Sequence, residues 1–212
     1  MDVLAAISDN LLRGYDRQVA ELTRKALDGG LPPKQILDSG LIAGMERVGQ
    51  RFRCHELFLP DVLVAAKAMY AGMDELRPLL AKEGISSIGK VVLGSVQGDL
   101  HDIGKNLVGI MLKGAGFEVI DLGYDVAPER FVEAAREQSA PVIGMSALLT
   151  TTMPVMRTVV GLVRQEGLHE KIKTIVGGAP VSAKFAREIG ADAYGFDAAN
   201  AVERVKDLVD AG

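Results

Sequence analysis

Residues 91–106 read Val-Val-Leu-Gly-Ser-Val-Gln-Gly-Asp-Leu-His-Asp-Ile-Gly-Lys-Asn, an apolar run followed at once by a loop rich in glycine and charge. The apolar run predicts a buried strand over Val91–Val96, and the residues after the loop predict a helix over Ile103–Gly114. A strand that passes through a short loop into a helix is the first half of a parallel βαβ unit. This stretch therefore predicts an α/β fold for the chain around it.

The same alternation continues to the C-terminal end of the sequence. The other predicted strands are Glu118–Leu122, Val142–Ser146, Thr174–Val176 and Asp192–Tyr194, and the other predicted helices are Pro128–Gln138, Met153–Glu166, Ser182–Ile189 and Ala199–Val209. Five parallel strands with helices on both faces predict a flavodoxin-like (Rossmann-like) sheet, which binds ligands beyond the carboxyl ends of its strands. We therefore expect functional residues in the loops that follow the strands.

The N-terminal part of the chain has a helical pattern instead. Apolar residues recur at helical spacing, as in Leu4, Ile7, Leu11 and then Val19, Leu22, Ala26. Gly29-Gly30 and Pro32-Pro33 interrupt this pattern, and Pro60 stands where a long helix could begin. Three or four helices packed as a bundle are expected. Because the pattern changes over Gly84–Gly89, we predict a helical bundle domain over residues 1–86 and an α/β domain over 87–212.

Composition bounds the class of protein. The 212 residues are 48% hydrophobic, which supplies a real core, and the net charge of -4 comes from acidic and basic residues without long runs of either sign. Nucleic-acid and membrane partners are therefore not expected. The single Cys54 cannot form an internal disulfide, and we find neither a signal-peptide pattern nor an apolar run long enough to span a bilayer. These features predict a cytoplasmic protein, with its oligomeric state left open.

The loop after the first predicted strand is the chemically richest segment. The imidazole of His101 is a good ligand for cobalt or another transition metal, and Asp99 could accept the other ring N–H and so fix the tautomer. Asp102 could cap the following helix or contact a ligand, and the sequence does not separate these roles. This loop is the first candidate site.

Two further predicted strand ends carry residues suited to a ligand. A hydroxyl-rich segment that includes Ser146, Thr150 and Thr152 follows the third strand, and Gly177-Gly178 follows the fourth. Helix caps and left-handed turns explain such loops one at a time. Three of them at neighbouring strand ends favour a common binding site.

These three segments resemble a known family pattern. Asp99, His101 and Gly104, then Ser146 and Leu148, then Gly177 and Gly178 resemble the Asp-x-His-x-x-Gly, Ser-x-Leu and Gly-Gly elements of cobalamin-dependent methionine synthase and the mutases. The resemblance implies a cobalamin or related corrinoid bound base-off, with His101 as the lower cobalt ligand and the nucleotide tail threaded into the sheet domain. The cofactor-binding residues that it implies are Gly98, Asp99, Leu100, His101, Asp102, Ile103, Gly104, Ser146, Leu148, Thr150, Gly177, Gly178 and Ala198.

The helical part resembles the cap that covers the upper corrin face in methionine synthase, which favours methyl transfer over mutase chemistry. The matching segments are residues 44–49 and 57–66. The resemblance implies that Phe52 and Leu59 shield the methyl group and that Asp38 lies near the cofactor. The alternative is that these apolar side chains are ordinary bundle core, which we expect for Met69.

The sequence departs from the family at two places. Cys54-His55 interrupts a stretch that is often acidic or glycine-containing. Thr152 stands where methionine synthase has a serine linked to the Asp-His pair. Because Thr152 keeps a hydroxyl, the resemblance still implies a relay from His101 through Asp99 to Thr152. His55 and His169 are expected at the surface rather than at a metal.

The sequence is most similar to the stand-alone corrinoid proteins of methylamine, methanol and methoxy-aromatic methyltransferase systems. The resemblance implies a carrier subunit rather than a complete enzyme, which cycles between Co(I) and methyl-Co(III). Its partners would be a substrate-specific methyltransferase, an acceptor methyltransferase and a reductive activase. A cobalamin-sensing regulatory module is the alternative. A receiver-like signalling domain is disfavoured, because Ser146 and Gly195 stand where it needs an aspartate and a lysine.

Overall fold

The computed structural model describes residues 2–83 and 87–210, which belong to two compact units. The first unit extends to Ser87 and includes Gly114–Gly116, and the second contains the remaining residues from Ile88 onward. The domain boundary predicted between residues 86 and 87 involves residues outside the described ones, so it stays a prediction. No helix in these described ranges is long and apolar enough to cross a bilayer.

The first unit is helical throughout its described elements. Its helices are α1 (Val3–Leu12), α2 (Asp16–Asp28), α3 (Pro33–Ile36), α4 (Ala43–Arg53) and α5 (Leu59–Lys82), and a π-helical segment, Leu37–Ile42, joins α3 to α4. Because α3, the π-helical segment and α4 follow one another without a break, they form one continuous helical stretch. Residues 2–83 therefore contain four such stretches, and the prediction of three or four helices is confirmed for them.

The core of the helical unit forms where α1, α2 and α5 meet. Ile7, Leu11, Val19 and Leu76 are fully buried there. Gly72 lets α5 approach closely, because a Cβ at this position would lie 2.7 Å from Leu41 Cδ2 and 3.0 Å from Val19 Cγ1. The bundle is thus a packed unit in its own right.

The second unit is a five-stranded parallel sheet. Its strands are β1 (Lys90–Ser95), β2 (Glu118–Asp121), β3 (Val142–Ser146), β4 (Lys173–Gly177) and β5 (Ala193–Gly195), in the order β2-β1-β3-β4-β5. Its helices are α6 (Ile103–Gly114), α7 (Pro128–Glu137), α8 (Met153–Gln165), α9 (Ala183–Ile189) and α10 (Ala198–Asp210). The predicted fold is confirmed, with every strand and helix end in this unit within one residue of its predicted position.

Two layers of helices cover the sheet. On one face, Phe131 of α7 and Met156 of α8 pack into a core with Val92 and Ile143 of the central strands. On the other face, α6 and α10 lie over Leu93 and its neighbours. Because all five strands are parallel, their following loops meet at one edge of the sheet, and that edge holds the candidate site.

Candidate functional site

The loop after β1 leaves the strand through a tight turn. The Asp99 N–H donates to the Val96 carbonyl at 3.0 Å, and Gly98 has a φ of +83°, a left-handed conformation that glycine adopts without steric cost. The side chain of Asp99 is fully buried by this turn, whereas 52% of the His101 side chain is exposed. The loop therefore pairs a buried carboxylate with an accessible imidazole.

The Asp99 carboxylate accepts five hydrogen bonds. Its Oδ1 lies 2.8 Å from His101 Nδ1 and 3.1 Å from the His101 main-chain nitrogen. Its Oδ2 accepts from the N–H groups of Leu148 at 2.7 Å and Leu149 at 3.1 Å, and from Thr152 Oγ1 at 2.8 Å. Asp99 thus joins the loop after β1 to the loop after β3.

These contacts determine the charge state of Asp99 and the tautomer of His101. Burial opposes ionisation of Asp99, but the hydrogen bonds from Leu148, His101 and Thr152 outweigh it and hold the pKa of the carboxyl well below its usual range. An ionised carboxylate can only accept, so His101 donates from Nδ1. In the neutral form of such a ring, Nε2 is the nitrogen with a free lone pair, and this is the form that binds a metal.

Thr152 is placed for the third position of the predicted relay. The residue is 6% exposed. Its hydroxyl oxygen lies 2.8 Å from Asp99 Oδ2 and 2.9 Å from the Leu149 carbonyl oxygen, so the hydroxyl proton has two possible acceptors. Thr152 precedes α8, yet its side chain makes no capping bond to that helix. The predicted grouping of His101, Asp99 and Thr152 is contiguous in the structure.

A cavity of about 310 Å³ opens beside this cluster, between the sheet and helices α6 and α10. Four of the residues expected to bind a cofactor line it: Gly104, Ser146, Gly177 and Gly178. Its other lining side chains are mostly apolar, among them Val91, Leu93, Val108, Leu112, Ile175 and Val205. The volume is at the lower end of the roughly 300–1,000 Å³ of small-molecule sites, which suits one part of a larger ligand.

Glycines line this cavity, and two of them let neighbouring main-chain segments approach closely. Gly178 has a φ of +122°, and a Cβ there would lie 1.9 Å from the Ala147 carbonyl oxygen. A Cβ on Gly177 would lie 3.0 Å from the Gly195 carbonyl oxygen. At Gly104 an added Cβ would meet no described atom within 4 Å, so it would occupy free space at the cavity wall. The imidazole of His101 and this glycine-lined cavity fit a corrinoid, whose cobalt binds nitrogen ligands.

Large apolar side chains are exposed at the same edge of the sheet. Leu100 is 66% exposed, Ile103 72%, Leu148 43% and Leu149 41%. A patch of exposed apolar residues beside a half-exposed imidazole is typical of a binding surface rather than of ordinary solvent-facing loops. These side chains fit a broad, largely apolar ligand face.

Three predicted site residues make no described side-chain hydrogen bond to Asp99, His101 or Thr152. Asp102 is partly buried, its carbonyl accepts from the Asn106 N–H at 2.7 Å, and no described residue donates a capping bond to its side chain. Thr150 is exposed in the loop after β3. Ala198 is 7% exposed at the start of α10 and is not among the described residues that line the cavity.

Lys105 is a charged residue of the cavity wall that was not among the predicted site residues. Lys105 is 2% exposed and lines the cavity, with Nζ 2.6 Å and 2.7 Å from the two oxygens of Asp121 and 2.7 Å from Asn106 Oδ1. The helical spacing of Lys105, Val108 and Leu112 carried the signal, because it places the lysine on the buried face of α6.

The predicted cap residues lie within the helical unit. Phe52 and Leu59 are both partly buried, and Asp38 is in the π-helical segment with an ion pair to Lys34 at 3.1 Å. Met69 is 2% exposed, which confirms it as bundle core.

The remaining histidines and the cysteine lie at the surface. His55, His169 and Cys54 are all exposed, and the prediction of a surface position is confirmed for both histidines. Within residues 2–83 and 87–210, no three or more His, Cys, Asp and Glu side chains are grouped so that they could hold a metal ion. Among these described residues, His101 is therefore not part of such a group.

Comparison with known proteins gives consistent matches to both units. A family model described as a B12 binding domain matches residues 89–206, and a second model with the same description matches residues 3–77. The chain is 48% identical over 182 residues to dimethylamine corrinoid protein 1 of Methanosarcina acetivorans, covering 85% of each chain.

Solved structures match over nearly the whole length. A cobalamin-binding protein from Desulfitobacterium hafniense aligns with a TM-score of 0.81 and 33% identity, over 97% of this chain and 98% of that one. The methanol:cobalamin methyltransferase complex MtaBC of Methanosarcina barkeri contains a chain that aligns with a TM-score of 0.87 and 29% identity, over 100% of this chain and 81% of that one.

Proposed function

This chain belongs to the family of B12-binding corrinoid proteins, and on that premise we propose that it is a methyl carrier of a methylamine methyltransferase system. The observation that carries the proposal is the Asp99-anchored imidazole of His101, which has a free Nε2 and lies at the strand ends where the cavity opens. When bound, the corrinoid supplies a cobalt centre that accepts a methyl group from one partner and yields it to another.

The cofactor is bound base-off in this proposal, with His101 as its lower ligand. The cavity beside α6 and α10 would take the nucleotide tail, with Gly104, Ser146, Gly177 and Gly178 at its wall. Gly98, Leu100, Asp102, Ile103, Leu148, Thr150 and Ala198 would contact the rest of the cofactor, as the family resemblance implies. Support comes from the exposed apolar side chains of this edge and from the glycines that line the cavity.

Proton movement in this site would follow the chain of hydrogen bonds. Asp99 holds Nδ1 of His101 as a donor and receives the hydroxyl of Thr152 on its other oxygen. If the charge on the imidazole changed, these hydrogen bonds would distribute the change over His101, Asp99 and Thr152.

We also propose a role at the upper face of the corrin for Phe52, Leu59 and Asp38, because their helices resemble the cap of methionine synthase.

The names of related proteins support the partner enzymes that we propose for this chain. A relative at 48% identity is named for dimethylamine, and a structural relative forms part of a methyltransferase complex, which supports a methylamine-specific methyltransferase as the methyl donor enzyme. We further propose an acceptor methyltransferase and a reductive activase as partners. The chain is then a carrier subunit and not a complete enzyme. The cobalamin-sensing alternative is not favoured, because these relatives are corrinoid proteins.

The exposed free thiol of Cys54 supports a reducing compartment, so we propose that the protein acts in the cytoplasm.

The ligand can be identified by electron paramagnetic resonance of the protein loaded with cob(II)alamin. Protein grown with ¹⁵N-labelled histidine should show the axial nitrogen splitting as a doublet, whereas unlabelled protein should show a triplet. His101→Ala should lose the histidine-derived splitting, and His169→Ala, which removes an exposed histidine, should keep it. A triplet that persists in the labelled protein would mean that the corrinoid keeps its own base, and base-off binding would be wrong.

The carrier role can be tested with the reduced, corrinoid-loaded protein. Mixed with a dimethylamine-specific methyltransferase and dimethylamine, the protein should change its visible spectrum to that of the methylated cofactor. Methanol with a methanol-specific methyltransferase is the control, and a faster response to methanol would contradict the methylamine assignment.

A further inference from the structure

Asp125, in the loop between β2 and α7, makes two hydrogen bonds to the turn that leads to His101. Its Oδ1 accepts from the Gly98 N–H at 2.7 Å, and its own N–H donates to the Asp99 carbonyl at 3.1 Å. The two bonds enclose the peptide that joins Gly98 to Asp99. This contact connects a second neighbouring loop to the loop that carries His101.

The conformation of both partners fits this contact. Gly98 is the third residue of the turn from Val96 to Asp99, so its N–H has no acceptor within the turn. Gly98 has a φ of +83°, and Asp125, which accepts from this N–H, itself has a φ of +55°. Aspartate tolerates the left-handed region better than most residues. A carboxylate at this position therefore satisfies a donor that the turn leaves free.

The contact lies at the end of an ordered series. The Ser95 N–H donates to the Gly123 carbonyl at 3.0 Å, and the Val126 N–H donates to the Ser95 carbonyl at 3.1 Å. Val96 and Val126 form a parallel bridge pair. Residues 122–126 thus run beside the end of β1, and Asp125 is in contact with the chain where it turns toward Asp99.

Asp99 is consequently held at two points. Leu148, Leu149 and Thr152 of the loop after β3 bind its carboxylate, while Asp125 binds its main chain. Oδ1 of Asp99 must accept from both the main chain and the ring of His101, so a small displacement of the Asp99 main chain would lengthen one of those bonds. Both of those bonds therefore depend on where the Asp99 main chain lies.

We propose that Asp125 is a positioning residue for His101, acting through the Gly98–Asp99 peptide. This inference rests on the proposed function, in which His101 is the cobalt ligand. Asp125 itself contacts neither Nδ1 nor Nε2 of the imidazole in this proposal.

Three variants separate the carboxylate from the backbone conformation. Asp125→Gly removes the acceptor and keeps the left-handed conformation without strain. Asp125→Asn keeps an oxygen acceptor and tolerates the same conformation. Ser139→Gly is the matched control, since Ser139 also has a positive φ of +52° but lies between α7 and β3, at the opposite end of the sheet.

The first measurement uses the corrinoid-free protein. Nitrogen-15 chemical shifts of the His101 ring report which nitrogen carries the proton, and the wild type should show the Nδ1–H form. Asp125→Gly should lower the ratio of this form to the other tautomer by about three- to tenfold, the effect of one hydrogen bond. Asp125→Asn should restore it to near the wild-type ratio, and Ser139→Gly should leave it unchanged.

The second measurement uses cob(II)alamin-loaded protein. Asp125→Gly should reduce the fraction of cobalt with a histidine nitrogen splitting by a similar factor, with Asp125→Asn close to the wild type. If Asp125→Gly did not fold by circular dichroism, Asp125→Glu would replace it, because the longer side chain moves the carboxylate off the Gly98 N–H.

The two outcomes can be told apart. An unchanged His101 tautomer in Asp125→Gly, or an equal change in Ser139→Gly, overturns the role of Asp125 whatever the cofactor does. A wild-type protein that lacks the histidine splitting overturns the proposed ligand instead, while the corrinoid-free measurement still decides the role of Asp125.

Discussion

The ammonium of Lys105 lies 2.6 Å and 2.7 Å from the two carboxylate oxygens of Asp121, and the exposure of the two side chains is unequal, at 1% for the lysine and 40% for the aspartate. The pair joins the first turn of α6 to the end of β2, so it fixes one wall of the cavity. Because the ammonium is buried and the carboxylate is partly exposed, removal of Asp121 and removal of Lys105 should lower the free energy of unfolding by different amounts.

We expect Asp121→Asn to destabilise the protein more than Lys105→Met. Loss of the Asp121 charge leaves an ammonium buried without a counter-ion, which costs about 3–5 kcal/mol, whereas loss of Lys105 leaves a carboxylate that water can reach and costs about 1–2 kcal/mol. Urea unfolding of the corrinoid-free variants measures both values. A larger loss in Lys105→Met would contradict the idea that the buried, unpaired ammonium is the more costly of the two remaining groups.

The ion pair between Arg24 and Glu75 should give a small acid-dependent contribution to stability. Arg24 Nη2 lies 2.6 Å from Glu75 Oε1 and joins α2 to α5, and this hydrogen bond lowers the pKa of Glu75 from its ordinary 4.5. A carboxyl whose folded-state pKa is lowered stabilises the fold above its unfolded pKa and loses that effect as the pH falls through the folded value.

The corresponding test is Glu75→Gln against the wild type at two values of pH. At neutral pH the variant should be less stable by about 0.5 kcal/mol, because the arginine is more than half exposed and solvent screens the pair. The difference should shrink as the pH falls below 4.5. Thermal unfolding at matched ionic strength measures it, and a difference that stays constant into acid would rule out a charge effect.

The sequence carried strong signals for the α/β unit and weak ones for the details of the site. Apolar runs bounded by glycine located the strands to within one residue, and the spacing of Asp99 and His101 placed a carboxylate beside an imidazole. The N–H donors of Leu148 and Leu149 could not be predicted, because a main-chain donor has no residue signature.

Tertiary contacts and helix boundaries account for the rest. The role of Asp125 depends on Gly98, which is 27 residues away in the chain, so only the fold brings the two together. In the helical unit, the change from α3 through a π-helical segment to α4 left no mark in the apolar spacing. Residue type thus predicted the grouping of Asp99, His101 and Thr152, and the folded chain was needed to find the main-chain donors that hold Asp99.

Replacement of Thr152 by valine tests the hydrogen bond to Asp99 without a change of shape. Thr152→Val removes a hydroxyl that lies 2.8 Å from Asp99 Oδ2, and loss of a bond to a buried charge should cost about 2 kcal/mol. Thr152→Ser keeps the hydroxyl and should recover most of that stability. Thr151→Val is the control, because Thr151 is exposed and its replacement should change stability by less than about 0.5 kcal/mol. Equal losses at both threonines, measured by urea unfolding, would contradict the role of this hydroxyl.

Gly178 and Gly161 should respond in opposite directions to the same substitution. Gly178→Ala places a Cβ 1.9 Å from the Ala147 carbonyl oxygen at a φ of +122°, so the end of β3 or the loop after β4 must move. We expect a loss of about 3 kcal/mol or more from strain and displaced backbone. Because Gly178 lines the cavity, cobalamin affinity should fall as well.

Gly161→Ala is the matched control for this substitution, since Gly161 lies within α8 and its added Cβ meets no described atom within 4 Å. Alanine there should stabilise the helix by about 0.5–1 kcal/mol, because glycine loses more backbone freedom on folding. Thermal unfolding and cobalamin titration of both variants provide the comparison. If Gly178→Ala bound cobalamin as tightly as Gly161→Ala, the strand-end glycine would not belong to the cofactor cradle.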